Sequence, residues 1–142
     1  MASSKNQQQV TWSSAASVTL NSASRVDSDE IVFNAEDLSA SIQINADNSG
    51  TPGSGDVVRV YAKWSTGDVL GDTGNDYSSA EHAELLAVLD TYGANNPGED
   101  PANKVITVPV ESMVGMRLSV EAPQGATRSI VVRARITTSR GQ

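Results

Sequence analysis

Apolar and polar residues alternate with a period of two along much of this sequence. The pattern is strongest over residues 56–65, where the members of one face are Val58, Val60, Ala62 and Trp64. Successive side chains of a strand point to opposite faces, so this period predicts strands with one buried face. Similar runs cover residues 18–22, 31–34, 42–45, 104–110, 115–120 and 129–137.

The last of these runs separates apolar from charged side chains. Ile130, Val132, Ala134 and Ile136 share one face, and Arg133 and Arg135 lie on the other. We therefore predict that Arg133 and Arg135 point away from the core, toward solvent or a partner.

Turn-forming residues separate the runs, as in residues 26–29, 35–37 and 47–55. About eight short strands with little helix are typical of a sandwich or jelly roll. We predict an all-β protein: a single-domain antiparallel β-sandwich, jelly-roll-like, with at most one short helix. The sandwich is expected over residues 10–138, with a flexible polar N-terminal arm over residues 1–9 and a short tail over residues 139–142.

One segment, residues 79–93, fits two kinds of structure. Leu85, Leu89 and Tyr92 recur at helical spacing, Ser79 could cap a helix, and Gly93 could end it. However, residues 85–90 also fit a strand, and so short an apolar run cannot be assigned from its period. Both alternatives stay open at this stage.

Length and composition indicate one soluble domain. The chain has 142 residues, of which 38% are hydrophobic and 19% charged, and it contains no cysteine. Disulfides and thiolate metal sites are therefore excluded. No apolar run approaches the ~20 residues of a spanning helix, and the N-terminus has no apolar signal region. We expect no membrane partner and synthesis in a cytoplasm.

The charge is unevenly distributed. The net charge is −7, and residues 66–103 carry acids but no Lys or Arg, whereas residues 117–142 hold five arginines against Glu121. An acidic chain is a poor candidate for nucleic-acid binding, which needs a basic face. The asymmetry fits either solvated strand faces or complementary faces for neighbouring subunits.

The loop over residues 65–79 is the main candidate for metal chemistry. Asp68, Asp72, Asn75 and Asp76 offer oxygen ligands of the kind that calcium prefers, but their spacing fails the EF-hand pattern. We expect a solvated loop or a subunit contact, with no metal and no cofactor. His82, the one histidine, lies near no nucleophile motif, and no phosphate-binding or dinucleotide motif is present. We therefore expect no enzymatic activity and no small-molecule substrate.

Several segments, in their order along the chain, resemble the head decoration (cement) proteins of tailed bacteriophages. The segments are VYAKWS (residues 60–65), GNDY (residues 74–77), EHA (residues 81–83), LDT (residues 89–91), PANK (residues 101–104), TVPV (residues 107–110) and VVRARI (residues 131–136). The resemblance extends over roughly residues 56–137 and rests on pattern and spacing.

The resemblance implies a virion protein without catalytic residues. Such a protein binds the major capsid protein on the capsid exterior, commonly as a homotrimer. The expected partner contacts are the arm, the loop and the C-terminal strand, with Ser3, Gln9, Trp12, Asp68, Asp72, Asp76, Tyr77, Arg133 and Arg135 as the contact residues. Trp12 fits two roles, since it could also close the sandwich. The alternatives are a tail or neck component of the virion, or a carbohydrate- or calcium-binding β-sandwich module.

Overall fold

A computed structural model describes residues 5–48, 55–91, 102–123 and 129–140. Its strands are β1 (Lys5–Gln9), β2 (Val18–Leu20), β3 (Val26–Asp27), β4 (Ile31–Val32), β5 (Asp37–Asn48), β6 (Val57–Ser65), β7 (Glu84–Asp90), β8 (Ala102–Pro109), β9 (Gly115–Glu121) and β10 (Ile130–Arg140). One short 3-10 helix, Ala80–His82, precedes β7. Within these ranges no helix has the length and apolar character needed to cross a membrane.

The strands form two antiparallel five-stranded sheets. The first sheet has the order β1-β10-β5-β8, with β2 also pairing with β10; the second has the order β3-β9-β6-β7, with β4 also pairing with β9. Strands β1 and β2 can be counted as one interrupted strand, and so can β3 and β4. Counted in this way, the strand order is that of a jelly roll. The predicted all-β sandwich is therefore confirmed.

The period-two pattern explains how the core forms. In β10, Ile130, Val132 and Ile136 are fully buried, while Arg133 and Arg135 are exposed, as predicted. Alternate residues of β5 are buried on the same side of the first sheet, with Ile42 and Ile44 fully buried. The second sheet buries alternate residues of β6 and β9 against them, and its fully buried members include Val58, Val60, Met116, Leu118 and Val120. The two sheets thus share one apolar layer.

The ambiguous segment is a strand with an irregularity. In β7, Ala87 pairs with Val60 and Leu85 with Tyr61, so Leu86 is an extra residue in the ladder. Because of this bulge, Leu86 packs against the core while Leu85 and Val88 are exposed. The bulge explains why the period of this segment was ambiguous in the sequence.

The structure differs from the predicted arm and tail. Lys5–Gln9 forms strand β1, which pairs with β10 from Lys5 opposite Ser139 to Gln9 opposite Arg135. At the other end, β10 runs to Arg140. Residues 5–9 were placed in the arm because they are polar; an edge strand tolerates such a sequence because its backbone, not its side chains, makes the pairing.

Gly115 is the first residue of β9, and a side chain would have no room at this position. A Cβ at this position would come within 2.7 Å of the Tyr77 hydroxyl and 2.9 Å of the Ile31 carbonyl oxygen. Gly74 offers a matched comparison, because its nearest atom to a Cβ is 4.0 Å away.

We predict that Gly115→Ala lowers the free energy of unfolding by about 1–3 kcal/mol, as overpacking does elsewhere. Gly74→Ala should leave it within about 0.5 kcal/mol of the parent. Urea denaturation of the three proteins measures both values. Equal stability of the two variants would contradict the close packing at Gly115.

Candidate binding surfaces

The first sheet has an outer face that is mostly polar. The odd-numbered residues of β1, β5 from Ser39 to Asp47, β8 and β10 lie on this side, and we call their surface the polar face. Cross-strand neighbours form rows: Gln9, Arg135, Gln43 and Val105 make one, and Arg133, Asn45 and Asn103 make the next. Most members are amides, hydroxyls or cations.

A shallow groove of about 310 Å³ crosses the polar face. The side chains that line it are Gln9, Gln43, Asn45, Asn103, Arg133 and Arg135, with Ala134 beneath them. The Gln43 amide donates a hydrogen bond of 3.1 Å to the Asn103 carbonyl oxygen. The groove therefore presents both hydrogen-bond donors and acceptors next to two positive charges.

The cations of the second sheet and the two arginines of the groove differ in their carboxylate neighbours. On the second sheet, Arg25 and Arg59 lie 3.7 and 3.8 Å from the carboxylate of Glu121, and Lys63 lies 2.6 Å from that of Asp27. Among the described residues, neither Arg133 nor Arg135 has an ion pair. The positive charge of the polar face is thus available to a partner.

Strand β1 is an open edge of the first sheet. The Val10 amide donates to the Ala134 carbonyl at 2.9 Å. In an antiparallel pair, backbone groups of alternate residues point at the partner strand. It follows that the backbone groups of Gln7 and Gln9 point away from β10. No strand of the described ranges pairs with this edge.

The acidic loop, residues 68–77, is organised by its own carboxylates. Asp68 accepts hydrogen bonds from the amides of Gly71, Asp72 and Thr73, at 2.7, 3.1 and 2.8 Å. These bonds, that from Thr73 foremost, hold the pKa of Asp68 below its ordinary value of 3.8. The aspartates here supply turn geometry, as short polar side chains commonly do.

A second carboxylate fixes the tip of the acidic loop. Asp76 accepts hydrogen bonds from the amides of Val69 and Leu70, at 2.8 and 3.0 Å. The Val69 and Leu70 side chains are 74% and 75% exposed. The loop therefore holds two apolar side chains in water on a backbone that is already fixed.

The base of the acidic loop is tied to the β3–β4 segment. The Tyr77 hydroxyl and the Asn75 amide both donate to the carboxylate of Glu30, and the Arg117 guanidinium lies 4.9 Å from the centre of the Tyr77 ring. The Tyr77 bond, followed by that from Asn75, lowers the pKa of Glu30. Burial and the Glu30 carboxylate both raise the pKa of Tyr77. Tyr77 therefore anchors the loop.

The acidic loop also contains a compact group of carboxylates. Asp68, Asp72 and Asp76 each offer an oxygen atom, and these atoms lie within 4.8 Å of one another. All three carboxylates accept backbone amides, that of Asp72 from Gly74 at 3.4 Å, so the geometry is accounted for by loop structure. The group adds a concentrated negative charge to the surface.

The predicted contact residues fall into three groups. Gln9, Asp68, Asp72, Arg133 and Arg135 are exposed, Asp76 and Tyr77 are half-buried, and Ser3 lies outside the described residues. The polar face unites Gln9 with the two arginines, and the acidic loop unites the aspartates with Tyr77. Their role as partner contacts stays a prediction.

Trp12 takes the second of its two predicted roles and closes the sandwich. Its side chain is only 4% exposed, and it belongs to the hydrophobic core. The turn around it is clamped by Asp29, whose carboxylate accepts hydrogen bonds from the Thr11 hydroxyl and the Ser14 amide. A contact role for Trp12 would require the indole ring to leave the core.

Sequence reasoning missed the Val69–Leu70 tip and the open edge of β1. The signal for the tip was present, because two large apolar residues interrupt a run of Asp, Gly, Thr and Asn. The edge had no apolar signal to find. His82 lies exposed in the 3-10 helix, and no hydrogen bond to its ring occurs within the described residues.

Comparison with known proteins adds support for the fold. No protein-family model matches the sequence, and no curated protein matches it. Among solved structures, the CBM22-1–GH10 modules of Clostridium thermocellum endo-1,4-β-D-xylanase 10B, complexed with xylohexaose, are similar to 97% of this chain at 11% identity and a TM-score of 0.52. The chain spans 25% of that protein's length.

Two further structures are similar over nearly the whole chain. The SPBc2 prophage-derived protein YomS shares 9% identity at a TM-score of 0.46, over 98% of this chain and 96% of its own. The carbohydrate-binding module CBM29-2 shares 11% identity at 0.46, over 98% and 76%. At these identities, similarity to the xylanase establishes a common β-sandwich fold and nothing finer.

We predict that Asp68→Asn lowers the melting temperature at pH 7, because an amide replaces one accepting oxygen with a donor. The lowered pKa of Asp68 also has a consequence for acid stability. A carboxyl whose folded pKa is depressed contributes stability above its ordinary pKa and loses it as the pH falls through the folded value. The variant should therefore lose less stability than the parent below about pH 4.

Glu36→Gln serves as the control, because Glu36 is exposed and has no hydrogen bond or ion pair within the described residues. Its melting temperature should match that of the parent from pH 7 to pH 3. Identical acid profiles for Asp68→Asn and the parent would contradict the role given to Asp68.

Proposed function

We propose that this chain is a non-enzymatic structural protein of a tailed-bacteriophage virion. It binds the major capsid protein on the outside of the shell and stabilises the shell as a decoration protein, acting as a homotrimer. The observation that carries the proposal is the open edge of β1 beside the polar face. The resemblance of residues 56–137 to decoration proteins supplies the biological setting.

An open edge strand can bind a partner by extending its sheet. The Gln7 and Gln9 backbone groups pair with no strand among the described residues, so they offer donors and acceptors to an extended segment of a capsid protein. Main-chain hydrogen bonds supply affinity in this mode. The neighbouring amides and hydroxyls suit a wet interface. Each contact is modest, but three subunits bound at once raise the overall affinity through effective concentration.

The charge of the chain fits a position on the capsid exterior. A net charge of −7 keeps particles that display many copies apart in solution. A tail or neck position in the same virion is the structural alternative. Quantitative protein composition of purified particles separates the two, because a shell protein is present at a copy number comparable with that of the capsid protein and a neck protein at a small one.

We predict that Gln7→Pro strongly weakens binding to empty shells assembled from the major capsid protein of the same phage. Proline removes the amide that points to the open edge and leaves the hydrogen bonds between β1 and β10 in place. Co-sedimentation with the shells should be at least about tenfold weaker than for the parent.

Gln7→Ala is the matched control, since it removes the same side chain but keeps the amide. It should bind the shells like the parent, and both variants should keep the parent's melting temperature to within a few degrees. Equal binding by the proline and alanine variants would exclude strand addition at β1. Failure of the parent to bind these shells would overturn the decoration function itself.

A second candidate is a carbohydrate- or calcium-binding module, and the groove on the polar face favours its carbohydrate-binding form. Amides and guanidinium groups can hydrogen-bond sugar hydroxyls, and Gln43, Asn45 and Asn103 are placed to do so. The face offers no aromatic ring among its described residues for a sugar to stack on. Retardation in polysaccharide gels, or a calcium-dependent rise in melting temperature, would favour this candidate over the first.

A further inference from the structure

We propose that the polar face binds the acidic loop of a second copy of this chain, so that subunits join head to tail. The juxtaposition is between the groove at Arg133 and Arg135 on one subunit and residues 68–72 on the next. This inference deepens the proposed function, because it names the contact between the subunits of the assembly.

Charge complementarity is the first argument for this occupant. Arg133 and Arg135 are two residues apart on one side of β10, which places their Cα atoms about 6.5–7 Å apart. The oxygen atoms of Asp68, Asp72 and Asp76 lie within 4.8 Å of one another, so one loop can face both guanidinium groups at once. The arginines of the polar face have no carboxylate partner within the described part of their own chain, whereas the cations of the second sheet do.

Apolar complementarity is the second argument. The Val69 and Leu70 side chains project from the loop at 74% and 75% exposure, and Val105 is 59% exposed in the row that contains Arg135 and Gln43. Packing the tip on Val105 and on the aliphatic stems around it removes these surfaces from water. Each side of the contact thus has an apolar centre with charged groups around it, and the charges on the two sides are of opposite sign.

The loop needs little ordering before it binds. Asp68 and Asp76 already hold the backbone from Val69 to Thr73, so association does not have to fix a mobile segment. The acidic loop follows β6 of the second sheet, and its receptor lies on the first sheet. The contact is therefore not self-complementary, and subunits that join in this way form closed rings or open chains.

The test measures the mass of the purified protein by light scattering, together with its binding to capsid shells. We expect a parent oligomer that dissociates with rising salt, because the charged surround of the contact is screened. Arg133→Glu with Arg135→Glu should weaken self-association at least about tenfold. Adding Asp72→Arg to that double variant should recover part of the association, since one charge of the loop is then reversed and the Asp72 carboxylate accepts a single backbone amide, that of Gly74 at 3.4 Å.

Val69→Ser with Leu70→Ser should also weaken association, and Val88→Ser is its control as an exposed apolar residue of the second sheet. Melting temperatures close to that of the parent show that all variants fold. A monomeric parent, or a parent mass that survives the arginine reversals, would overturn the inference. If the parent binds shells as a monomer, the decoration function is supported and the proposed contact between subunits is refuted. If the parent is an oligomer that does not bind shells, the decoration function is refuted and the proposed contact between subunits is supported.

Discussion

The alternation of side chains in β10 is the constraint on which the rest of the structure depends. This strand pairs with β1 and β2 on one side and β5 on the other. Its inward residues fill the core, and its outward residues include Arg133 and Arg135. A slip of one residue in its pairing would bury both guanidinium groups without partners, at a cost of several kcal/mol each. The same alternation that stabilises the core therefore fixes where the charge of the polar face lies.

The outline of this fold was predictable because it depends on local alternation. Most of the strands that face the apolar layer were found from the sequence, and so was the outward direction of the arginines. However, Val26–Asp27 lies in a segment predicted as a turn, and β7 lies in the segment left open between strand and helix. Strand β1 was not found from the sequence, since it lies at an edge and contributes backbone hydrogen bonds more than buried side chains. The bulge at Leu86 is a property of the pairing between two strands, and a single-strand pattern cannot reveal it.

The candidate surfaces were predictable in part. Sequence composition indicated an acidic loop and a basic strand, but it could not show which charges are already satisfied. Glu30 and Tyr77 are 47 residues apart and meet only in the folded chain. In the same way, the cations of the second sheet and Arg140 of the first lie beside carboxylates, whereas Arg133 and Arg135 have none among the described residues, and this difference depends on three-dimensional neighbours. The role of Trp12 was ambiguous in the sequence because the burial of a residue depends on what packs against it in the folded chain.

Rigid loops and an open edge serve different kinds of binding. The acidic loop is fixed by carboxylate-to-amide bonds, so it suits a contact whose geometry must be reproduced at every subunit. An edge strand requires its partner only to be extended, because the backbone makes the contact and side-chain identity matters less. A protein that joins copies of itself through the first surface and attaches to another protein through the second would assemble with defined geometry, while tolerating variation in its partner. Under the two proposals, the loop would set the geometry of assembly and β1 would provide the attachment.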